Sequence, residues 1–175
     1  MAINTKTLTP LIIALIILGI GFLWPGKEPS EQIAPLIQDA TSSGILVIEV
    51  VDGDTINLED GTTVRLLGID TPETKDPRRP VGCFGKEASL EVKNLLEGKK
   101  VILEKDISET DKYERLLRYV YLPIGDDQKL FVNDYLVRKG FATVLTYPPD
   151  VKYNEQLRQA ETQAREEKRG LWERC

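Results

Sequence analysis

Three short segments rich in β-branched residues, separated by turn signals, constrain the fold of this chain most strongly. The segments are residues 45–51, 55–58 and 63–69, and the turns between them are Asp52-Gly53 and Glu59-Asp60-Gly61. β-branched residues favour strands, and Asp-Gly pairs favour the tight turns of hairpins. The pattern therefore predicts an antiparallel meander of three strands.

The rest of the chain predicts two more strands and three helices. The strands are expected at residues 101–104 and 116–122, and the helices at 86–96, 131–139 and 154–168. Apolar residues follow helical spacing in these helices, and a glycine follows each of them within two residues. No strand-helix-strand unit of crossover length recurs, so an α+β fold built on a small, five-stranded OB-fold barrel is favoured over a parallel sheet.

The N-terminal part of the chain differs in composition from the rest. Residues 11–24 form an uncharged apolar run, and residues 25–43 carry three prolines and no sustained period. Counted from residue 8, the run approaches the length that just crosses a bilayer. We expect residues 1–24 to be a hydrophobic helix, either an uncleaved membrane anchor or a signal peptide. A linker and a folded domain at 44–175 follow, and the domain is exported, either anchored outside the cytoplasm or secreted.

The composition excludes several kinds of chemistry. The chain has no histidine and only two cysteines, so histidine-based acid/base catalysis and a Cys/His zinc site are ruled out. Any catalysis must use carboxylates, Arg, Lys, Tyr or a hard metal ion. From residue 44 onward there are 21 Lys plus Arg against 25 Asp plus Glu. This acidic surplus argues against a protein that coats polyanions, and it suggests that several acids are ligands.

Four acids cluster around the first turn and the end of the third predicted strand: Asp52, Asp54, Asp70 and Glu73. Each taken singly is typical of ordinary turn chemistry. Taken together they suggest a Ca²⁺ or Mg²⁺ site, because these ions bind several oxygens from different segments. The EF-hand pattern does not fit, since Ile56 stands where a liganding oxygen is needed.

Two arginines are candidates for contact with a phosphate. Arg65 lies five residues before Asp70, so an unbroken strand would send the two side chains to opposite faces, but Gly68 allows a bend. Arg65 and Arg115 taken alone are typical surface cations, whereas a phosphodiester between them would match both guanidinium forks. Without histidine, the nearest candidate general base is Glu73.

The loop at residues 75–82 carries three cations among prolines: Lys75, Arg78 and Arg79. Two interpretations stay open. The loop is either a solvated turn or a basic lip that contacts the phosphate backbone of a substrate.

Two cysteines in an exported protein suggest one disulfide bond. Here the pair is Cys83 and Cys175, which would tie the end of the basic loop to the last residue of the chain.

Six separated motifs, in this order and spacing, resemble the staphylococcal nuclease (thermonuclease) family. They are DGDT, RLLGIDTPET, GKEAS, DKYER, VNDYLVRKGFA and EQLRQAETQAREEKRGLW. The resemblance covers residues 45–172 and implies a five-stranded OB-fold barrel with three helices. It also implies a calcium-dependent endonuclease, a phosphodiesterase that hydrolyses DNA and RNA to 3′-phosphorylated products.

The resemblance also implies roles for individual residues. It puts Asp54, Asp70 and the carbonyl of Thr71 on calcium. It makes Glu73 the general base. The cations that stabilise the phosphoryl transition state are then Arg65 and Arg115.

Further residues match positions that face the nucleotide in this family. Lys112 and Tyr113 are two of them, and Tyr147 is the only tyrosine where the family has an aromatic pair. Asp52 would be a neighbour of the metal. The chain departs from the family at Glu114, where the family usually has glycine.

Three functions stay open, and the nuclease is preferred. Its substrates would be DNA and RNA, its cofactor Ca²⁺, and we expect a monomer that contacts the membrane through residues 8–24 if they are not cleaved. The alternatives are a non-catalytic nucleic-acid-binding OB module and a calcium-stabilised structural domain. The presence of every expected acid and arginine favours the nuclease.

Overall fold

The computed structural model of the protein describes residues 44–78, 80–125 and 127–175. Eight strand segments occur in these residues. In chain order they are β1 Ile45–Asp52, β2 Thr55–Leu58, β3 Thr63–Leu66, β4 Ile69–Asp70, β5 Lys100–Glu104, β6 Leu116–Gly125, β7 Gln128–Phe131 and β8 Thr143–Val144. The helices are α1 Gly85–Leu96, α2 Val132–Arg138, α3 Asn154–Glu166 and the short α4 Leu171–Arg174.

Five of these strands form a closed barrel, which confirms the fold predicted from the sequence. Strands β1, β2 and β3 make the antiparallel meander, β1 also pairs with β5, and β5 pairs with β6. The barrel closes where β3 runs parallel to β6, with Val64 opposite Leu116. Strand β7 forms a hairpin with β6 and extends the sheet beyond the closed barrel.

The core lies inside the barrel and under the three longer helices. Alternate residues of the strands point inward, and the β-branched and leucine side chains there are almost completely buried. Each helix adds apolar residues from one face, spaced three or four apart, as α3 does with Leu157, Ala160 and Ala164. Burial of these faces fixes the helices against the barrel.

The predicted strand at 63–69 is broken at Gly68, and the break places Asp70. Gly68 has φ +75°, and a Cβ there would lie 2.6 Å from Leu157 Cδ1, so the bend requires glycine. The buried amide of Asn133 donates to the carbonyl of Leu67 at 2.8 Å and holds the chain just before the bend. Strand β4 then leaves the barrel and pairs with β8, where Asp70 lies opposite Thr143.

Strands β7 and β8 were not predicted from the sequence. β7 reads Gln-Lys-Leu-Phe and has no β-branched residue, so its strand propensity is weak. It forms because β6 continues to Gly125 and offers an edge for a hairpin. The helix expected at 131–139 correspondingly starts one residue later, at Val132.

A disulfide bond joins Cys83 to Cys175, with the two Cα atoms 5.9 Å apart. This is the pairing that the sequence suggested. α4 precedes Cys175 directly, and the N–H of Leu171 donates to the carbonyl of Gly140 at 2.8 Å. The disulfide therefore links the start of α1 to the end of the chain, which packs on the turn after α2.

No helix in the described part of the chain has the length and apolar character needed to span a membrane. The N-terminal hydrophobic segment at 1–24 and the linker at 25–43 lie outside the described residues. The anchor or signal peptide, the linker and their boundaries therefore stay predictions.

Candidate active site

The carboxylate of Asp54 organises the site. It lies just before β2 and is only 6% exposed. Its Oδ2 accepts hydrogen bonds from the N–H and the hydroxyl of Thr71, at 3.0 and 3.1 Å, and its Oδ1 accepts one from Thr55 Oγ1 at 3.1 Å. These bonds bring the first turn against the segment that follows β4.

The close approach of Thr71 depends on Gly53. A Cβ at Gly53 would lie 2.6 Å from Thr71 Oγ1 and 2.8 Å from its Cβ, which is closer than non-bonded atoms pack. The glycine of the Asp-Gly turn therefore serves contact with Thr71 as well as the turn itself.

Arg65 bridges the two carboxylates that are predicted to bind calcium. Its Nη1 lies 2.7 Å from Asp54 Oδ2 and its Nη2 lies 2.9 Å from Asp70 Oδ1. The Arg65 side chain is 13% exposed, whereas that of Asp70 is 53% exposed. The bend at Gly68 thus reunites Arg65 and Asp70, as the sequence suggested, and puts two carboxylates on one guanidinium.

A third acid, Asp52, adds to the negative charge of this turn. Its Oδ1 accepts the N–H of Asp54 at 3.2 Å. Burial, and next the negative charge of Asp54, raise the pKa of Asp52 to about 6. Crowded carboxylates of this kind favour the approach of a cation.

The donor atoms of this turn fit a hard divalent cation. Asp54 and Asp70 both contact the guanidinium of Arg65, so their carboxylate oxygens are close enough to share one cation. No group of three or more Asp, Glu, Cys or His side chains placed to hold a metal occurs among the described residues. Two carboxylates completed by backbone carbonyls and water still suit Ca²⁺, which takes six to eight oxygens in flexible geometry.

Arg115 is held by Asp111 and reaches toward the same acids. Its Nε and Nη2 lie 2.8 and 2.6 Å from Asp111 Oδ2, and its Nη1 donates to Thr55 Oγ1 at 3.5 Å. Because Thr55 in turn donates to Asp54, a chain of contacts joins Arg115 to the acidic turn. Burial alone would raise the pKa of Asp111, but hydrogen bonds from Arg115 and from backbone N–H groups hold it below its ordinary value.

A cleft of about 590 Å³ brings five of the predicted site residues together. Its lining includes the end of β3 and Leu117 of β6. The predicted site residues in its lining are Arg65, Lys112, Tyr113, Arg115 and Tyr147.

The two tyrosine rings of the cleft are open to solvent. Tyr113 is 67% exposed and Tyr147 is 71% exposed. Lys112 Nζ and Arg115 Cζ lie 4.9 and 5.4 Å from the centre of the Tyr113 ring. A flat apolar group entering the cleft would therefore meet aromatic faces next to cations.

Glu73 lies outside the cleft lining but on the same segment as Asp70 and Thr71. Its Oε1 accepts the backbone N–H of Lys75 at 2.7 Å and that of Asp76 at 3.1 Å. These two hydrogen bonds hold the pKa of Glu73 below its ordinary value, and the bond from Lys75 has the larger effect. The group is therefore a carboxylate at neutral pH.

The basic lip predicted at residues 75–82 stays a prediction. The guanidinium of Arg78 makes two hydrogen bonds to Asp76, at 2.8 and 2.9 Å, and is not among the residues that line the cleft. Arg79 lies outside the described residues.

Glu114 has φ +63°, a left-handed backbone conformation that favours glycine. This explains why a glycine at this position suits the turn. The Glu114 side chain is exposed, and the salt bridge of Arg115 is made with Asp111 instead.

Asp111 and Thr55 were missed as site residues. The signal for Asp111 was present, because Asp and Arg four residues apart in DKYER are spaced for a local ion pair. Thr55 gave no comparable signal, since its role arises only when β2 and the 111–115 turn meet.

The fold and the site define a small β-barrel protein with two arginines and an acidic turn beside an open aromatic cleft. Such a site suits an anionic ligand that carries a phosphate.

Comparison with known proteins gives the family. The profile described as "Staphylococcal nuclease homologue" matches residues 63–174. The chain is 38% identical over 171 residues to "Thermonuclease" of Staphylococcus hyicus, covering 96% of both chains. It is 42% identical over 139 residues to "Thermonuclease" of Staphylococcus intermedius, covering 78% of this chain and 80% of that one. It is also 42% identical over 127 residues to "Endonuclease YncB" of Bacillus subtilis (strain 168), covering 70% of this chain and 58% of that one.

The chain therefore belongs to the staphylococcal nuclease family.

Proposed function

We propose that the protein is a calcium-dependent nuclease that hydrolyses phosphodiester bonds in DNA and RNA. The observation that carries the proposal is the position of Arg65 and Arg115 on one cleft, with Arg65 in direct contact with Asp54 of the first turn and Asp70 of β4. The relatives named thermonuclease and endonuclease support the same activity.

The residues that would hold calcium are Asp54, Asp70 and the carbonyl of Thr71. When bound, the ion would polarise a phosphoryl oxygen and lower the pKa of a coordinated water. Arg65 contacts the same carboxylates, at 2.7 and 2.9 Å. Arg65 and the ion therefore compete for one pair of acids, and Arg65 is free to turn to the phosphate once another cation neutralises them.

The two arginines would stabilise the charge that builds on the phosphate during attack. A guanidinium offers planar pairs of N–H donors that match phosphate oxygens. Arg115 is held by two contacts with Asp111, so its fork is oriented before substrate arrives. Such preorganised donors are the principal source of stabilisation for an anionic transition state.

Glu73 would be the general base that takes a proton from the attacking water. Its lowered pKa keeps it ionised, and both backbone donors lie on Oε1. We assign proton uptake to Oε2. The water oxygen then bonds to phosphorus, the bond from phosphorus to the 5′ oxygen breaks, and the 5′ oxygen takes a proton from solvent, which leaves a 3′-phosphate and a 5′-hydroxyl.

The tyrosines would bind the bases. Tyr113 and Tyr147 offer exposed rings on the cleft, and Lys112 adds a cation for the backbone. Stacking on aromatic rings accepts any base, so this arrangement suits both DNA and RNA.

We also propose that the protein is exported and acts as a monomer. The disulfide between Cys83 and Cys175 supports an oxidising compartment. The residues proposed for the site belong to one chain, and this supports a monomer. Whether residues 1–24 anchor the protein or are removed decides between a membrane-bound and a secreted enzyme.

The proposal is tested by incubating the full chain with labelled single-stranded DNA, double-stranded DNA and RNA. Each substrate is offered in Ca²⁺, in Mg²⁺ and in excess chelator. We expect cleavage in Ca²⁺, loss of cleavage in chelator, and 3′-phosphate ends on the products. Binding without cleavage in Ca²⁺ would instead identify the non-catalytic binding module.

A further inference from the structure

Two acidic residues tie together the segments that form opposite walls of the cleft. The first wall comes from residues 106–113, after β5, and carries Tyr113. The second comes from residues 145–152, between β8 and α3, and carries Tyr147. Each segment contributes one aspartate that accepts backbone N–H groups of the other, and we call this reciprocal pair the clasp.

Asp150 forms the more buried half of the clasp. Asp150 is 3% exposed, and its Oδ1 accepts hydrogen bonds from the N–H of Ile107 at 2.9 Å and from that of Ser108 at 2.8 Å. Its own N–H donates to the carbonyl of Tyr147 at 3.0 Å. Asp150 thus connects the turn that carries Tyr147 to the beginning of the opposite wall.

Asp106 forms the other half. Its Oδ2 accepts the N–H of Lys152 at 2.9 Å and the hydroxyl of Tyr119 at 3.2 Å. Tyr119 belongs to β6 and is 1% exposed. The clasp is therefore anchored to the barrel, and its two acids bond to groups other than Arg65 and Arg115.

We propose that Asp150, supported by Asp106, is a positioning residue that sets the spacing of the two cleft walls and so determines how tightly nucleic acid binds. This inference rests on the proposed nuclease function. The rings of Tyr113 and Tyr147 are largely exposed, so packing on the core holds them only weakly. The backbone of their segments must then fix where they stand, and the clasp supplies that constraint for the Tyr147 turn.

The geometry distinguishes positioning from the mere presence of a negative charge. Both N–H groups from the opposite wall bond to the single atom Oδ1. An asparagine keeps an oxygen at this place, whereas an alanine removes the acceptor of both part-buried N–H groups.

The test compares Asp150→Ala and Asp150→Asn with the parent in the full chain. The control is Asp134→Ala, because Asp134 on α2 is also largely buried, with 13% of its side chain exposed, and accepts hydrogen bonds from Arg138 and Gln156 away from the cleft. Three quantities are measured: the melting temperature, kcat and KM for a single-stranded oligonucleotide in Ca²⁺, and the Kd of that oligonucleotide in chelator.

We expect Asp150→Ala to raise KM and Kd about tenfold, with kcat within about twofold of the parent, because part of the stacking is lost. Asp150→Asn should have the KM and Kd of the parent. Asp134→Ala should lower the melting temperature without changing KM. Unchanged KM and Kd in a folded Asp150→Ala protein would overturn the clasp alone. A parent that neither binds nor cleaves the oligonucleotide would overturn the proposed function, and the clasp with it.

Discussion

Removal of Arg65 is expected to increase the affinity of the protein for calcium while it abolishes catalysis. The Arg65 guanidinium contacts the two carboxylates proposed as calcium ligands, at 2.7 Å from Asp54 and 2.9 Å from Asp70. A calcium ion bound by both carboxylates would compete with this guanidinium. Arg65→Ala eliminates the competitor and leaves the buried Asp54 without its cation.

The size of the effect follows from the exposure of the two contacts. The contact with Asp54 is largely buried and charge-assisted, which is worth about 1.5 kcal/mol net. The contact with Asp70 involves a side chain that is 53% exposed, and solvent screening limits it to about 0.5 kcal/mol. The sum of about 2 kcal/mol corresponds to roughly a 30-fold lower Kd for calcium.

The assay is calorimetric titration of Ca²⁺ into the parent and Arg65→Ala, without nucleic acid. The control is Arg115→Ala, which removes the same charge from a side chain that contacts Asp111 and Thr55 rather than the proposed ligands. We expect the control to change the calcium Kd less than about threefold. Calcium binding to Arg65→Ala that is unchanged or weaker would refute the competition.

Three further changes test the surroundings of the site. Gly53→Ala should weaken calcium binding and lower the free energy of unfolding by about 1–3 kcal/mol, because the new Cβ lies 2.6 Å from Thr71 Oγ1; titration calorimetry and urea denaturation measure the two effects. Glu114→Gly should raise the free energy of unfolding by about 0.5–1 kcal/mol, since it relieves a residue at φ +63°, and a lower melting temperature would contradict this. The double variant Cys83→Ser, Cys175→Ser should have a free energy of unfolding lower by about 4 kcal/mol, because the disulfide closes a loop of 92 residues. An unfolding midpoint in urea equal to that of the oxidised parent would be inconsistent with this.

The barrel could be predicted from the sequence because its strands carry local signals. These signals are β-branched residues, Asp-Gly turns and the glycines after the helices, and each depends on a few neighbouring residues only. Strand β2, Thr55–Leu58, has the bounds that the sequence predicted. The pairing that closes the barrel, between β3 and β6, has no such signal, since it joins residues about fifty apart in the chain. Strand β8 was missed for the same reason, since it pairs with the distant β4, whereas β7 was missed because its residues have weak strand propensity.

The site could be predicted only as a set of residue types. The sequence suggested that Gly68 would reunite Arg65 with Asp70, and the structure shows the bend and the ion pair. It gave no sign that Asp54 would share the same guanidinium, because that contact depends on the register of β2 and β3, which sets Thr55 opposite Arg65, and not only on their pairing. The clasp at Asp150 was invisible for the same reason, since it joins segments more than forty residues apart.

The most direct test of the central claim is the rate at which Glu73→Gln cleaves a single-stranded DNA oligonucleotide in saturating Ca²⁺. The matched control is Glu155→Gln, an exposed residue of α3 whose carboxylate accepts a hydrogen bond from Gln159. If Glu73 takes the proton of the attacking water, Glu73→Gln should lower kcat by about 10²–10⁴, with little change in KM, while Glu155→Gln keeps the rate of the parent. Equal rates for the two variants would contradict the assignment of a carboxylate base to this site.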